Sequence, residues 1–136
     1  MSPIEAVVET ALYADDLAAV KVFYGEVLGL KMLAEDPVRQ VFFQVGPANV
    51  LLLFNPAATR QGDDFPSHGS TGPGHVALGI PAAELDAWRN HLTAHGVAIE
   101  KELTWPRGGH SLYFRDPADN LVELITPGIW GTPAGW

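Results

Sequence analysis

Glu9, His75 and Glu123 are side chains of this 136-residue chain whose types and places could do chemistry together. Each interrupts a short, otherwise small or apolar run: "ETALYA", "GHVALGI" and "NLVELIT". Alternation along a strand groups Glu9 with Ala11 and Tyr13, His75 with Ala77 and Gly79, and Glu123 with Leu121 and Ile125. The opposite faces then carry Val8, Leu12 and Ala14, or Val76, Leu78 and Ile80, or Val122 and Leu124. If the three polar faces converge, two carboxylates are buried together. That costs several kcal/mol each unless they are protonated, paired with a cation or bound to a metal. Two carboxylates and a neutral imidazole balance one divalent ion, and these donors suit Fe, Mn, Ni, Co or Zn. Three protein ligands leave positions open for water or substrate, the arrangement of a catalytic metal.

A second group of candidates lies in "RGGHSLYF". Tyr113 is expected to reach the same cavity with its hydroxyl, as a proton donor or substrate anchor. Ser111 shares its parity and is a candidate substrate contact. His110 is a candidate proton shuttle, since an unperturbed imidazole titrates near neutrality. Arg39, Arg107 and Arg115 could supply charge to an anionic substrate, with Arg39 taken as a substrate-binding residue. His68, His91 and His95 read as loop or helix-surface residues without a role.

The elements that must position these groups are short. "AVVETALYA", "KMLAE", "QVFFQV", "NVLLLF", "GHVALGI", "VAIEKELTW", "HSLYFR" and "NLVELIT" read as strands. A helix is expected from about Leu17 to Leu28, capped by Asp15 or Asp16 and closed by Gly29. Its core face carries Phe23, Tyr24, Val27 and Leu28. A second is expected from about Ala82 to His95, with Leu85, Trp88 and Leu92 at helical spacing and Gly96 at its end. Asn55 to Gly74 is rich in Gly, Pro, Ser and Asp and reads as a linker or mobile loop. The tail "PGIWGTPAGW" reads as irregular, with tryptophans that need a surface to cover.

The two halves of the chain resemble each other. "ETALYA" aligns with "HVALGI", placing Glu9 over His75. "FQVGPANVLLLFNP" aligns without a gap with "FRDPADNLVELITP", placing Asn49 over Asn120 and Leu52 over Glu123. Each half runs strand, helix, three strands, so an internal duplication is expected. A single helix covers one face of its sheet. The expected fold is therefore α+β: two βαβββ modules forming a curved, mostly antiparallel sheet around a cavity, helices outside. Module one spans about 5–56, a linker about 57–72, module two about 73–127 and the Trp-containing tail 128–136, in one domain.

Composition narrows the function. With 16 acidic and 8 basic residues the net charge is −8, a poor match to nucleic acid or an anionic membrane. The absence of cysteine excludes disulfides and thiolate metal sites. "MSPIEAVVET" does not read as a signal peptide and "VLLLF" is too short to span a bilayer, so a cytoplasmic location is expected.

"ETALYADDLAAVKVFYGEVLGL", "GHVALGIP" and "SLYFRDPADNLVELITP" make the chain resemble the vicinal oxygen chelate superfamily, from about Val7 to Pro127. That superfamily includes glyoxalase I, bleomycin-resistance proteins, fosfomycin-resistance transferases, methylmalonyl-CoA epimerase and extradiol dioxygenases. The resemblance implies metal ligands at Glu9, His75 and Glu123, from the first and last strands of the modules. Leu52 falls where glyoxalase I has a fourth, carboxylate ligand, a departure from the pattern of that enzyme. Glu9 stands where extradiol dioxygenases and fosfomycin transferases generally have His. The expected function is a divalent-metal-dependent enzyme acting on a small oxygen-chelating substrate, by lyase, isomerase or ring-cleaving dioxygenase chemistry. The alternative is a metal-free drug-binding protein of the bleomycin-resistance type. A homodimer is expected, since each module leaves sheet edges open and many superfamily members are dimers.

Overall fold

The computed structural model describes residues 1–62 and 64–136. They form two compact units, Met1–Gly72 and Pro73–Trp136, which repeat one order of elements. The first unit runs β1 (Glu9–Tyr13), α1 (Leu17–Val22), a π-helical turn (Phe23–Val27), β2 (Lys31–Asp36), β3 (Gln40–Val45), β4 (Asn49–Phe54) and α2 (Pro56–Thr59). The second runs β5 (His75–Gly79), a 3-10 turn (Ala82–Glu84), α3 (Leu85–Ala94), β6 (Lys101–Thr104), β7 (His110–Arg115) and β8 (Leu121–Ile125). Among the described residues the strands form two four-stranded sheets, ordered β1-β4-β3-β2 and β5-β8-β7-β6. The first strand of each module lies parallel to the last, and the remaining pairs are antiparallel. The fold is α+β, built from two βαβββ modules, each with its own mixed open sheet.

Local chemistry accounts for the boundaries. Asp16 Oδ1 accepts from Ala19 N at 3.0 Å and starts α1. The helix widens over Phe23–Val27, where Leu28 N donates to Phe23 O five residues back at 3.0 Å. Gly29 (φ +70°) and Gly96 (φ +72°) then end the two helical segments in the left-handed conformation expected of them. The segment from Asn55 to Gly74 is more structured than its composition suggests. Asn55 Oδ1 accepts from Ala57 N at 3.0 Å, Pro56 takes the first helical position, and α2 forms; position 63 lies outside the described residues.

In the first unit Leu12, Val20, Tyr24, Val41, Phe43, Leu51 and Leu53 are buried, and α1 packs against β3 and β4. In the second, Leu78, Ile80, Leu112, Phe114, Val122 and Leu124 take the same side of the sheet, and Leu92 is the buried residue of α3. Parity therefore leaves His75, Ala77 and Gly79 on the other side. The turn between β7 and β8 holds β5 in register. Asn120, 1% exposed, accepts on Oδ1 from Gly74 N at 2.8 Å and donates through Nδ2 to Asp116 Oδ2 at 2.9 Å. Leu121 N donates to Gly74 O at 2.9 Å.

The residue just before His75 is thus held by a buried amide. Asn120→Ala leaves Gly74 N and Asp116 without these partners and is expected to cost about 1–3 kcal/mol, read as a lower urea midpoint with unchanged slope.

Candidate functional site

The side of the second sheet opposite its core carries His75, Ala77 and Gly79 from β5, Leu121, Glu123 and Ile125 from β8, and Ser111, Tyr113 and Arg115 from β7. Register places Ala77 beside Glu123 and Glu123 beside Tyr113. In the first sheet Ala11 and Leu52 hold the position that Ala77 and Glu123 hold in the second, as the repeat alignment requires.

Glu123 is 6% exposed, and its carboxylate is held from two sides. Ser111, fully buried, donates through Oγ to Glu123 Oε1 at 2.5 Å. The same hydroxyl accepts from Trp105 Nε1 at 2.8 Å. On the other side Glu123 Oε2 faces His75 Nε2 at 3.3 Å. His75 Nδ1 lies 3.0 Å from the Leu121 carbonyl oxygen. A carbonyl only accepts, so Nδ1 carries the proton and donates. The Nε2 of a neutral ring then turns a lone pair toward a carboxylate oxygen. Two acceptors facing each other need a positive centre, either a second ring proton or a bound cation.

The spacing suits a cation. It is longer than most hydrogen bonds. Two ligands each about 2.1 Å from a tetrahedral ion lie about 3.4 Å apart, close to the 3.3 Å found here. One imidazole nitrogen and one carboxylate oxygen are donors that divalent transition metals accept. The His75 side chain is 48% exposed, which leaves the pair open to a ligand. Among the described residues no group of three or more His, Cys, Asp or Glu that could hold a metal ion is assembled. His75 and Glu123 therefore stand as a pair.

Tyr113 borders this pair. Its ring stacks with His75 at 6.4 Å between centroids and 26° between planes. Burial is the main cause that pushes the phenol above its ordinary pKa of 10.0; a hydrogen bond with Ser111 pulls it down, and the charge of Glu123 and a hydrogen bond to it add smaller upward pushes. The group keeps its proton through neutral pH.

The other candidates lie elsewhere. His110 has the parity of Leu112 and Phe114, so it points away from Ser111, Tyr113 and Glu123. Its Nδ1 meets Thr104 Oγ1 at 3.1 Å across the β6–β7 pair. Arg39 ends the β2–β3 turn of the first unit, with its guanidinium over Phe65 at 5.9 Å. It lines a cavity of about 370 Å³ with Asp36, Asn55 and Gln61. Arg115 pairs with Glu100 at 2.9 Å. Glu9 is exposed at the start of β1, in register with Val50.

Two residues given no role from the sequence take part in these faces. Trp105 donates to Ser111; the signal was present, since Trp105 shares parity with Leu103, which pairs with Ser111. His68 folds back onto the first sheet, where its Nδ1 meets Tyr13 OH at 2.6 Å. Nothing local to His68 marks that return.

The model of the Glyoxalase/Bleomycin resistance protein/Dioxygenase superfamily matches residues 6–124. A crystal structure of a lactoylglutathione lyase from Agrobacterium tumefaciens is similar at 41% identity and TM-score 0.91, over 96% of this chain and 100% of that one. A glyoxalase/bleomycin resistance protein/dioxygenase from Nocardioides shares the fold at 22% identity and TM-score 0.74, over 100% of this chain and 91% of that one. A lactoylglutathione lyase of Pseudomonas putida is 29% identical over 97 residues, 69% of this chain and 55% of that protein. The matched stretch thus spans about half the length of that curated relative.

Two outcomes follow from the buried network. Ser111→Ala leaves Glu123 Oε1 and Trp105 Nε1 unpartnered and is expected to cost about 1–3 kcal/mol in urea unfolding. The raised Tyr113 pKa contributes stability that is complete below the ordinary value and lost as pH rises through the folded-state value. Tyr113→Phe is therefore expected to lessen the fall of the urea midpoint above pH 10.0 and to leave its pH dependence near neutrality unchanged.

Proposed function

The chain belongs to the Glyoxalase/Bleomycin resistance protein/Dioxygenase superfamily, and from that premise we propose that it is a divalent-metal-dependent lyase or isomerase acting on a small substrate through two neighbouring oxygens. The observation that supports this reading is that His75 Nε2 and Glu123 Oε2 face each other at 3.3 Å. Lyase or isomerase chemistry is chosen over ring cleavage because the Agrobacterium tumefaciens and Pseudomonas putida proteins are both named lactoylglutathione lyase. A lactoyl thioester carries a hydroxyl beside its carbonyl, and two such oxygens can bind one cation together.

His75 and Glu123 would hold the ion. Glu9 completes the proposed donor set, on the strength of its place in the repeat. When bound, the ion would polarise the substrate oxygens and stabilise negative charge growing on them. Ser111 keeps one carboxylate oxygen of Glu123 occupied, which orients the other. Tyr113 offers a protonated hydroxyl beside Glu123, suited to donate to a substrate oxygen. Leu52 provides no carboxylate at the position equivalent to Glu123, so proton movement beside the carbonyl falls to Tyr113 and the ligand carboxylates. His110 is left out because it lies on the opposite face. A homodimer belongs to the same reading, with Trp130, 73% exposed, available to an interface.

Metal content tests the proposal. Protein purified without chelators and dialysed against Fe, Mn, Ni, Co or Zn is expected to retain one ion per chain, with a raised melting temperature. His75→Ala, Glu123→Ala and Glu9→Ala are each expected to lose it, and Ser111→Ala to weaken binding by about 10–100-fold. Turnover of a small substrate with a hydroxyl beside its carbonyl should vanish on chelation and in the His75 and Glu123 variants. A wild-type chain that neither binds nor is stabilised by any of these metals refutes the enzyme reading and favours a metal-free binding protein. Retention in all three ligand variants refutes the site.

A further inference from the structure

A ring from the tail lies at one end of the face that carries His75 and Glu123. Gly79 ends β5 on the same side as His75. A Cβ built at Gly79 would lie 2.3 Å from Trp136 Cη2, 2.6 Å from Cζ2 and 2.8 Å from Cζ3. The benzo edge of the indole therefore rests on the Gly79 backbone, in space that a side chain at position 79 would need. The tail is folded to deliver it. Gly109 N donates to Gly128 O at 3.0 Å, Gly128 N to Gly135 O at 2.8 Å, Thr132 N to Trp136 O at 3.0 Å, and Trp136 N to Thr132 Oγ1 at 3.2 Å. Trp130 in the same tail is 73% exposed, so seating a ring is particular to Trp136.

The first module has a counterpart built from different residues. Tyr13 occupies the repeat position of Gly79, and the segment after β4 lays His68 on it at 2.6 Å, with the Phe54 ring 4.7 Å away. In both modules the segment after the last strand returns a ring to the last residue of the first strand. In the second, the strand residue has no side chain and the tryptophan takes the space.

Between His75 and Gly79 the floor is Ala77, beside Glu123. Strand rise makes the distance from His75 to Gly79 about 13 Å. A shallow strip floored by one methyl group thus joins the His75–Glu123 pair to the half-buried indole. We propose that Trp136 is a specificity-determining residue that contacts the substrate. It receives a flat apolar group, aromatic by preference, carried by a molecule whose two neighbouring oxygens lie at His75 and Glu123. This rests on the metal-dependent reading above.

The test compares two chelators that differ only in their apolar group, acetohydroxamate and benzohydroxamate, by calorimetric titration of the metal-loaded chain. The wild type is expected to prefer benzohydroxamate by at least about fivefold, the scale of an aromatic contact. Trp136→Ala removes the ring; Gly79→Ala leaves the ring in the chain but expels it from its seat. Both are expected to keep metal content and to reduce the preference to about twofold or less. Benzohydroxamate should also shield tryptophan emission from acrylamide in the wild type and lose that added shielding in Trp136→Ala. If metal and acetohydroxamate bind but the preference is absent or survives both substitutions, the role of Trp136 is wrong and the metal site stands. If no metal binds, the metal-dependent reading fails and takes this inference with it.

Discussion

A carboxylate 6% exposed within a four-stranded sheet has to be held on every side, and the second unit is arranged around that need at Glu123. Ser111 donates to one oxygen and is itself buried and steadied by Trp105. The other oxygen is turned toward His75, whose ring is fixed by the Leu121 carbonyl. Removing any part of this arrangement exposes the cost of burying an unpartnered polar group, which is large compared with the net stability of a small domain. The His75–Glu123 junction is open to a second ring proton or a bound cation, and that is where chemistry can enter.

The repeat shows how one scaffold carries different chemistry at matched positions. Ala11 and Leu52 sit in the register of Ala77 and Glu123. In the first sheet that position is apolar, Leu52 is 8% exposed, and Phe42, Phe54, Tyr13 and His68 assemble an aromatic surface nearby. In the second it is a carboxylate served by a hydroxyl and an indole. Neither substitution disturbs the backbone, because the parallel first-to-last pairing and the core on the helix side do not depend on what the opposite face carries. Asn49 and Asn120 keep equivalent tasks at the start of the last strand: Asn49 bonds the Val7 carbonyl and Asn120 bonds the Gly74 amide.

Much of the fold was legible. The strand faces of "HVALGI" and "NLVELIT" follow a period of two. The buried residues Leu78, Ile80, Val122 and Leu124 were readable from it, as was the polar face with His75 and Glu123. Gly29 and Gly96 announced the helix ends through the conformation that other residues resist. The same period also excluded His110 from the face of Ser111, although closeness in sequence to Tyr113 had suggested otherwise. Proximity along a strand separates neighbours rather than joining them. The π-helical turn and α2 were not legible, since widening a helix or adding a single turn depends on a few local hydrogen bonds that composition does not reveal.

By itself the sequence determined the module order, the parity of each strand and the donor types on each face, because these depend on residue type and on a backbone period that holds in any sheet. Only the tertiary structure decided which donors meet. That His75 Nε2 faces Glu123, that Trp105 supports it through Ser111, and that Trp136 lies on Gly79 are consequences of strand register and of where the tail returns. Residues 46 or more positions apart come within hydrogen-bond reach there only because the parallel β5–β8 pairing sets them side by side. Such long-range contacts are set by the sum of the packing around them, and no local stretch of the chain encodes that sum.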